Sequence, residues 1–198
     1  MALAFDTGDS GFLSLSEDFM HQLNKITVID LLCKGNGSSS TGAFGNEKQA
    51  EKHLIRFATF DIGKAKFKNI ITQTTKNGVS AIGTKLLDHG LVTLDYIHKK
   101  FYFEPKLQVT DLNEKRWPFE LSVVGNKLVI GVVWDKDASQ KVKPGQQIVA
   151  INDIPYPEVN LCEILNKPSV FTGMETAIVT LKEDDGSLRK VAFKKEYL

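Results

Sequence analysis

Short runs of apolar and β-branched residues, separated by residues that favour turns, recur along the whole chain. Two of these runs, residues 53–60 and 64–72, are joined by Asp61-Ile62-Gly63, which is typical of a hairpin turn. Similar runs occupy residues 3–5, 26–32, 91–96, 100–104, 119–124, 127–134, 147–152, 176–183 and 188–194. We therefore expect a mainly β fold.

Few segments favour helices. Residues 14–23 predict a helix, because Ser14 and Glu17 have the spacing of a capping box. Residues 84–88 predict a short helix, and residues 159–166 predict another that ends before Pro168. Residues 35–45 are rich in Gly and Ser, so we expect an exposed, flexible loop there, close to a functional site.

The length of 198 residues fits one large domain or two small ones. The polar residues 106–116 predict a linker between domains at 1–105 and 117–198. A net charge of +1 gives no reason to expect a nucleic acid or membrane-surface partner, and no apolar run is long enough to predict a membrane span. Cys33 and Cys162 are far apart in sequence, so we expect two thiols and no disulfide framework.

Asp6-Thr7-Gly8 follows the apolar run 3–5 and is the first candidate for a reactive site. Two carboxylates that share one proton can hydrolyse a peptide bond, because like charges at that distance do not both ionise. Each carboxylate needs a tight turn, which Gly8 permits, and the hydroxyls of Thr7 and Ser10 can form hydrogen bonds that hold it. The tripeptide alone is a weak signal, because such tripeptides occur by chance in turns, and on its own it favours an ordinary surface turn.

A second motif supports a functional interpretation of Asp6-Thr7-Gly8. Ala81-Ile82-Gly83 leads into the short helix and the two strands at 91–96 and 100–104. With Asp6-Thr7-Gly8, this order resembles the closing half of a pepsin-like or retropepsin-like aspartic protease lobe, over residues 3–105. The resemblance implies a β-barrel lobe in which a hydrophobic-hydrophobic-Gly element passes beside the catalytic turn, with Gly83 allowing close approach of the backbone.

By position, the resemblance implies that Asp6 is the catalytic aspartate, that Thr7 and Gly8 form its turn, and that Ser10 is the small hydroxyl residue beside it. Asp9 departs from the pattern, since a small residue is usual there. Its carboxylate would either change the titration of the site or point to solvent.

The second catalytic carboxylate has no candidate in this sequence, which holds no further Asp-Thr-Gly or Asp-Ser-Gly. It must come from an N-terminal lobe that this chain lacks or from a homodimer partner. Only five residues precede Asp6, whereas lobes of this family need strands there, which favours a chain cut just before its catalytic turn. We expect the isolated chain to be inactive.

A serine protease is an alternative interpretation. Gly8-Asp9-Ser10-Gly11 matches the nucleophile motif of chymotrypsin-like proteases, to which the PDZ-bearing HtrA-type enzymes belong. In that family the His base and the orienting acid precede the serine, and no such residues precede Ser10 here. The four histidines all follow it, and none has the His-Glu-x-x-His spacing of a metal site, so we expect no metal.

The C-terminal half resembles a bacterial PDZ domain, most specifically in residues 142–153. These residues contain the turn Pro144-Gly145, an apolar strand and Ile151-Asn152-Asp153, where the family has Ile-Asn-Gly. The resemblance implies a partly open β-barrel with two short helices that binds an extended peptide as an added strand.

The PDZ resemblance also implies a carboxylate-binding loop at residues 117–121 and a groove between residues 119–123 and the helix at 159–166. The binding residues would be Phe119, Glu120, Leu121, Ser122, Val123 and Leu165. Because Glu120 would repel a terminal carboxylate, a structural or docking role remains open.

Three functions follow from these expectations. The chain is half of an aspartic endopeptidase, with a protein or peptide substrate and a PDZ domain that binds peptides or regulates access. Alternatively, it is a non-catalytic peptide-binding scaffold, or a fragment of an HtrA-type serine protease. No cofactor is expected. The residues themselves do not indicate a cellular compartment. PDZ-bearing bacterial proteases are often exported, so the resemblance to them implies the cell envelope.

Overall fold

The computed structural model describes residues 3–38, 41–42, 45–76, 79–160, 164, 167 and 169–198. In chain order the strands are β1 (Ala4–Phe5), β2 (Leu13–Ser16), β3 (Asp30–Gly37), β4 (Thr41–Gly42), β5 (Gly45–Asn46), β6 (Ala50–Ile62), β7 (Ala65–Thr75), β8 (Ala81–Ile82), β9 (Gly90–Asp95), β10 (Lys100–Pro105), β11 (Val109–Asp111), β12 (Phe119–Val124), β13 (Lys127–Val133), β14 (Ile148–Ile151), β15 (Ile154–Pro155), β16 (Thr176–Lys182) and β17 (Leu188–Lys194). The helices include α1 (Glu17–Lys25), a 3-10 helix (Thr84–His89) and α2 (Lys136–Ser139). The predicted mainly β class is confirmed. Within the described residues no sheet closes into a barrel.

The chain forms two compact units. The N-terminal unit comprises Met1–Cys33 and Lys52–Glu114, and the C-terminal unit comprises Lys34–Glu51 and Lys115–Leu198. Residues 34–51 thus group with the C-terminal unit, which no sequence pattern indicated. Within the range expected as a linker, β11 pairs in parallel with β7.

The sheet of the N-terminal unit has the order β1-β8-β2-β7-β6, and β9 and β10 form a separate hairpin. The predicted hairpin at Asp61-Ile62-Gly63 is observed as the β6–β7 pair, with Gly63 and Lys64 as its two-residue turn. Gly63 has a φ of +59°, a conformation that glycine adopts without steric cost. The core of this unit is built from residues that include Leu15, Phe67 and Leu86.

Helix α1 begins later than the sequence predicted. Ser14 lies in β2 and pairs with Ala81 of β8, so it is not available to cap the helix. Ser16 takes that role, and its hydroxyl accepts a hydrogen bond from the Phe19 amide at 3.3 Å. The capping box of Ser14 and Glu17 was therefore wrong, since sheet pairing outweighed the local signal.

Two further expectations differ from the structure. The strand expected at 26–32 is observed as β3, beginning at Asp30, and Ile26 is 64% exposed ahead of it. The loop expected at 35–45 was wrong in part, because residues 35–37 continue β3 and residues 41–42 pair with 45–46. In both stretches the backbone is paired between strands, despite the high glycine content.

The C-terminal unit contains the β12–β13 hairpin and a sheet with the order β15-β14-β16-β17. The final hairpin predicted around Asp184-Asp185-Gly186 is observed as β16 and β17. Residues that include Phe119, Ile130, Ile148, Val179 and Phe193 form the core of this unit. The helix expected at 159–166 lies largely outside the described residues.

Candidate active site around Asp6

Asp6 directly follows β1, a strand that pairs on one side with β8. Strand β8 lies between β1, which it pairs in parallel, and β2, which it pairs antiparallel. The Asp6 amide extends the first pairing by donating to the Ile82 carbonyl at 2.9 Å. The backbone position of Asp6 is therefore set by the sheet.

The turn after Asp6 holds its carboxylate. The Gly8 amide donates to Asp6 Oδ1 at 2.8 Å, and the Asp9 amide donates to the Asp6 carbonyl at 3.3 Å. Asp6, Thr7, Gly8 and Ser10 are all exposed. The arrangement orients one carboxylate oxygen and leaves the group accessible to a ligand.

Ala81-Ile82-Gly83 passes directly beside this turn. A β-carbon on Gly83 would lie 2.3 Å from the Gly11 carbonyl oxygen and 2.5 Å from the Asp9 carbonyl oxygen. Its φ is −96°, which any residue can adopt, so the requirement for glycine here comes from packing. The glycine permits the two backbones to touch.

Hydrogen bonds from the chain after Gly83 complete this clamp. Both the amide and the hydroxyl of Thr84 donate to the Asp9 carbonyl, at 2.7 and 3.0 Å. The amides of Gly83 and Lys85 donate to the carbonyls of Phe12 and Gly11, at 3.1 and 3.2 Å. The turn is thus held by a segment about 75 residues away in sequence.

The carboxylate of Asp9 has a local structural partner. Its Oδ1 accepts a hydrogen bond from the Gly11 amide at 2.7 Å, in a half-buried position. This is an Asx-type turn, which stabilises the loop after Asp6.

The hydroxyls of Thr7 and Ser10 were expected to be able to hold the turn. In the part of the chain that the structure describes, neither hydroxyl forms a hydrogen bond. Backbone amides hold the turn instead. Ser10 therefore has no histidine partner within those residues. The His89 ring packs edge-on against Phe12 and Phe67, at centroid distances of 6.0 and 5.7 Å.

An apolar surface lies on β1 and on the β9–β10 hairpin of the N-terminal unit. Hairpin β9–β10 pairs only with itself among the described strands, and β1 pairs only with β8. A pocket of about 680 Å³ lies between them, lined by residues that include Leu3, Phe5, Ile62, Leu94 and Phe101. At the tip of the hairpin, Tyr96 and Ile97 are 84% and 88% exposed.

The tip of the hairpin is held by two contacts between Asp95 and His98. Asp95 accepts a hydrogen bond from the His98 amide at 2.9 Å, and its other oxygen lies 2.7 Å from His98 Nδ1. These bonds, the amide first and the ring second, hold the pKa of the Asp95 carboxyl below its ordinary value.

Five of the six residues expected to bind a peptide lie on β12, and their side chains have different surroundings. Phe119 and Val123 are buried in the core, where Phe119 contacts Phe193 at a centroid distance of 4.9 Å. Ser122 is also buried, whereas Leu121 and Glu120 are half-buried. Leu165 lies outside the described residues. What β12 offers a ligand is therefore chiefly its backbone.

Strand β12 is an edge strand, pairing along one side with β13 and with no other described strand. The Glu120 carboxylate, expected to repel a peptide carboxylate, lies 3.5 Å from the Arg116 guanidinium. The arginine offsets part of that repulsion.

Sequence reasoning missed two features of the C-terminal unit. The first is the docking of residues 35–38 on β13, for which the only signal was the Gly-x-Gly of Gly35 and Gly37. The second is a pocket of about 710 Å³ with Trp117, Trp134 and Phe193 in its walls. None of residues 119–123 lines that pocket.

Among the described residues, no group of three or more His, Cys, Asp or Glu side chains is placed to hold a metal ion. The described helices include none with the length and apolar character needed to cross a membrane. No protein-family model matches the chain, and the comparison with curated proteins gives no match.

Proposed function

We propose that the N-terminal unit is half of an aspartic endopeptidase site, with Asp6 as one of its two catalytic carboxylates. The observation that carries the proposal is the clamp of Ala81-Ile82-Gly83 and Thr84 on the Asp6 turn. An incidental surface turn does not need a distant segment whose glycine contacts its backbone. An exposed carboxylate on a rigid turn is what a two-carboxylate site requires.

The chemistry is hydrolysis of a peptide bond. One carboxylate takes a proton from water, whose oxygen bonds to the peptide carbonyl carbon. The other carboxyl gives a proton to the nitrogen as the carbon–nitrogen bond breaks. Asp6 fills either role, because the two groups share one proton across the site.

The second carboxylate is supplied by another lobe or by a second copy of the chain. The apolar surface of β1, β9 and β10 supports this, since β1 leads directly into the Asp6 turn and its residues line the same pocket as those of the hairpin. A partner that buries Leu94 and Phe101 removes apolar area from water, which favours association.

The decisive test compares Asp6→Asn with Asp18→Asn in the assembled, active enzyme at acid pH. Asparagine keeps the oxygen that accepts from Gly8, so we expect Asp6→Asn to fold normally and to lose cleavage of a peptide substrate. Asp18 is exposed in the first turn of α1, and its variant controls for loss of one charge. Retained cleavage in Asp6→Asn would refute the role given to Asp6.

We also propose that the C-terminal unit binds an extended peptide along the outer edge of β12, as the PDZ resemblance implies. The open edge of β12 supports this, and Arg116 beside Glu120 provides a cation near the expected carboxylate loop. Titration with a labelled C-terminal peptide tests it, with Arg116→Gln and an amidated peptide as comparisons. Equal affinity for free and amidated peptides would exclude carboxylate recognition, and absence of binding would favour a scaffold role.

A further inference from the structure

Strand β10 has an open edge. It pairs with β9 along one side and with no other described strand along the other. The Lys106 amide continues this pairing by donating to the His89 carbonyl at 2.8 Å, so Tyr102 and the residues in step with Lys106 bond to β9. The alternate residues of an antiparallel strand point their backbone groups the other way. The amides and carbonyls of Phe101 and Phe103 therefore lie along the open edge.

The side chains of Phe101 and Phe103 lie on the inner face of the hairpin. The Phe101 ring contacts Phe5 of β1 at a centroid distance of 5.5 Å, and the Phe103 ring contacts Phe67 of β7 at 6.1 Å. These ring contacts anchor β10 to the rest of the N-terminal unit. The open edge thus belongs to a strand whose position is set by its own aromatic side chains.

The outer face of β10 carries a charge on each side of an aromatic residue. Strand alternation places Lys100, Tyr102 and Glu104 together on this face, and all three are exposed. Within the described part of the chain, neither Lys100 nor Glu104 forms an ion pair. An edge strand with unpaired backbone groups is a template for another strand, and these two charges restrict which strand fits.

A second copy of β10 is complementary to this edge. In an antiparallel pair centred on Tyr102, Lys100 of each copy lies opposite Glu104 of the other, and Tyr102 lies opposite its own equivalent. Phe101 then lies opposite Phe103, where the two residues exchange both backbone hydrogen bonds. Opposite charges and aromatic pairs stabilise cross-strand contacts, whereas a parallel pair in register sets like charges against each other.

We propose that two copies of this chain associate through β10 about a two-fold axis at Tyr102, so that their β9–β10 hairpins form one four-stranded sheet. A two-fold interface joins the same surface of both copies, which a self-complementary strand satisfies. On the inner face, Leu94 and Phe101 of one copy continue into Phe103 and Val92 of the other as one apolar row. The pairing makes the second copy the source of the second carboxylate, and that step alone rests on the proposed protease function.

Sedimentation velocity of the full chain tests the pairing through its two charges. We expect the parent chain to dimerise, and Lys100→Glu and Glu104→Lys each to raise the dissociation constant about tenfold, because like charges then meet across the pair. The double variant Lys100→Glu/Glu104→Lys restores opposite charges, so its dissociation constant should return to that of the parent. Lys64→Glu is the control, since Lys64 is exposed in the β6–β7 turn and its substitution changes the net charge as Lys100→Glu does.

Cysteine cross-linking tests the register of the pair. In a background of Cys33→Ser and Cys162→Ser, Tyr102→Cys places two thiols opposite each other, at a Cα separation that a disulfide spans. Lys100→Cys is the control, because its two thiols would lie four residues apart along the pair, about 14 Å. After mild oxidation we expect Tyr102→Cys to migrate as a covalent dimer and Lys100→Cys to remain a single chain.

Three results would overturn the proposal: a parent chain that is monomeric at every concentration tested, a double charge variant that associates no more tightly than the single ones, or equal cross-linking at positions 100 and 102. None of them bears on Asp6, because loss of cleavage in Asp6→Asn would then assign the second carboxylate to another lobe. Conversely, a dimer with the expected register whose Asp6→Asn variant still cleaves peptides would leave the pairing intact and refute the protease role.

Discussion

Gly83 lies so close to Asp9 that a β-carbon on Gly83 would come within 2.5 Å of the Asp9 carbonyl oxygen. The same carbonyl accepts two hydrogen bonds from Thr84. The loop after Asp6 is therefore shaped by contact with a distant segment as much as by its own sequence. We therefore expect substitutions of either Gly83 or Asp9 to change the stability of the turn.

Gly83→Ala should destabilise the chain by about 1–3 kcal/mol or more, because backbone on both sides resists the added methyl group. Gly63→Ala is the comparison, since Gly63 has a φ of +59°, which would strain an alanine, but a β-carbon there would meet no atom within 4 Å. Backbone strain alone would make Gly63→Ala the costlier change, whereas the clamp predicts the reverse order. Urea unfolding of both variants measures this, and equal costs would contradict the clamp.

Asp9→Ala should destabilise the turn by about 1 kcal/mol, because the Gly11 amide loses its acceptor. Asp9→Asn keeps an oxygen at that position and should stay close to the parent chain. Urea unfolding resolves the difference between the two variants. If Asp9→Asn destabilised the chain as much as Asp9→Ala does, the stabilisation would come from the charge of Asp9 and not from its hydrogen bond to Gly11.

The strands could be predicted from sequence where the physical signal is local. The β6–β7 hairpin carries β-branched runs on both sides of a glycine turn, and β16 and β17 flank Asp184-Asp185-Gly186, so short-range pattern was sufficient. The helix start failed because the pairing of Ser14 with Ala81 is non-local. A single sequence gives no access to a pairing across so many residues.

The resemblance named residues for a candidate site but not the contacts around them. The resemblance pointed to Asp6 and to Gly83, and the structure brings their segments together. It did not indicate that Thr84 would hold the Asp9 carbonyl. The docking of residues 35–38 was missed because glycine-rich sequence predicts a loop, while the close approach to Gly131 depends on tertiary structure.

We expect the free energy of unfolding to depend on pH through Asp95. Its carboxyl pKa is lowered in the folded chain by the His98 amide and then by the His98 ring, so the folded state binds protons less readily than the unfolded one. The stabilisation is present above the unfolded pKa and is lost as pH falls through about 4 and below. Asp95→Asn removes this titration, so its unfolding free energy should change less between pH 6 and pH 3, as measured by urea unfolding at each pH. Identical pH profiles for the two proteins would contradict this origin.

The apolar face of the β9–β10 hairpin should decide whether Asp6 meets a second carboxylate. Leu94 and Phe101 are directly opposite each other in the pair, and each is 39% exposed. Leu94→Lys should abolish association through this face and, with it, any peptide cleavage, while leaving the monomer folded. Thr93→Lys is the matched control, since it adds the same charge to an exposed neighbouring position on β9. Sedimentation velocity and an acid-pH cleavage assay, run at the same protein concentrations, measure the two effects together. Cleavage by a preparation shown to be monomeric would overturn the half-site, because one carboxylate would then be sufficient without a partner.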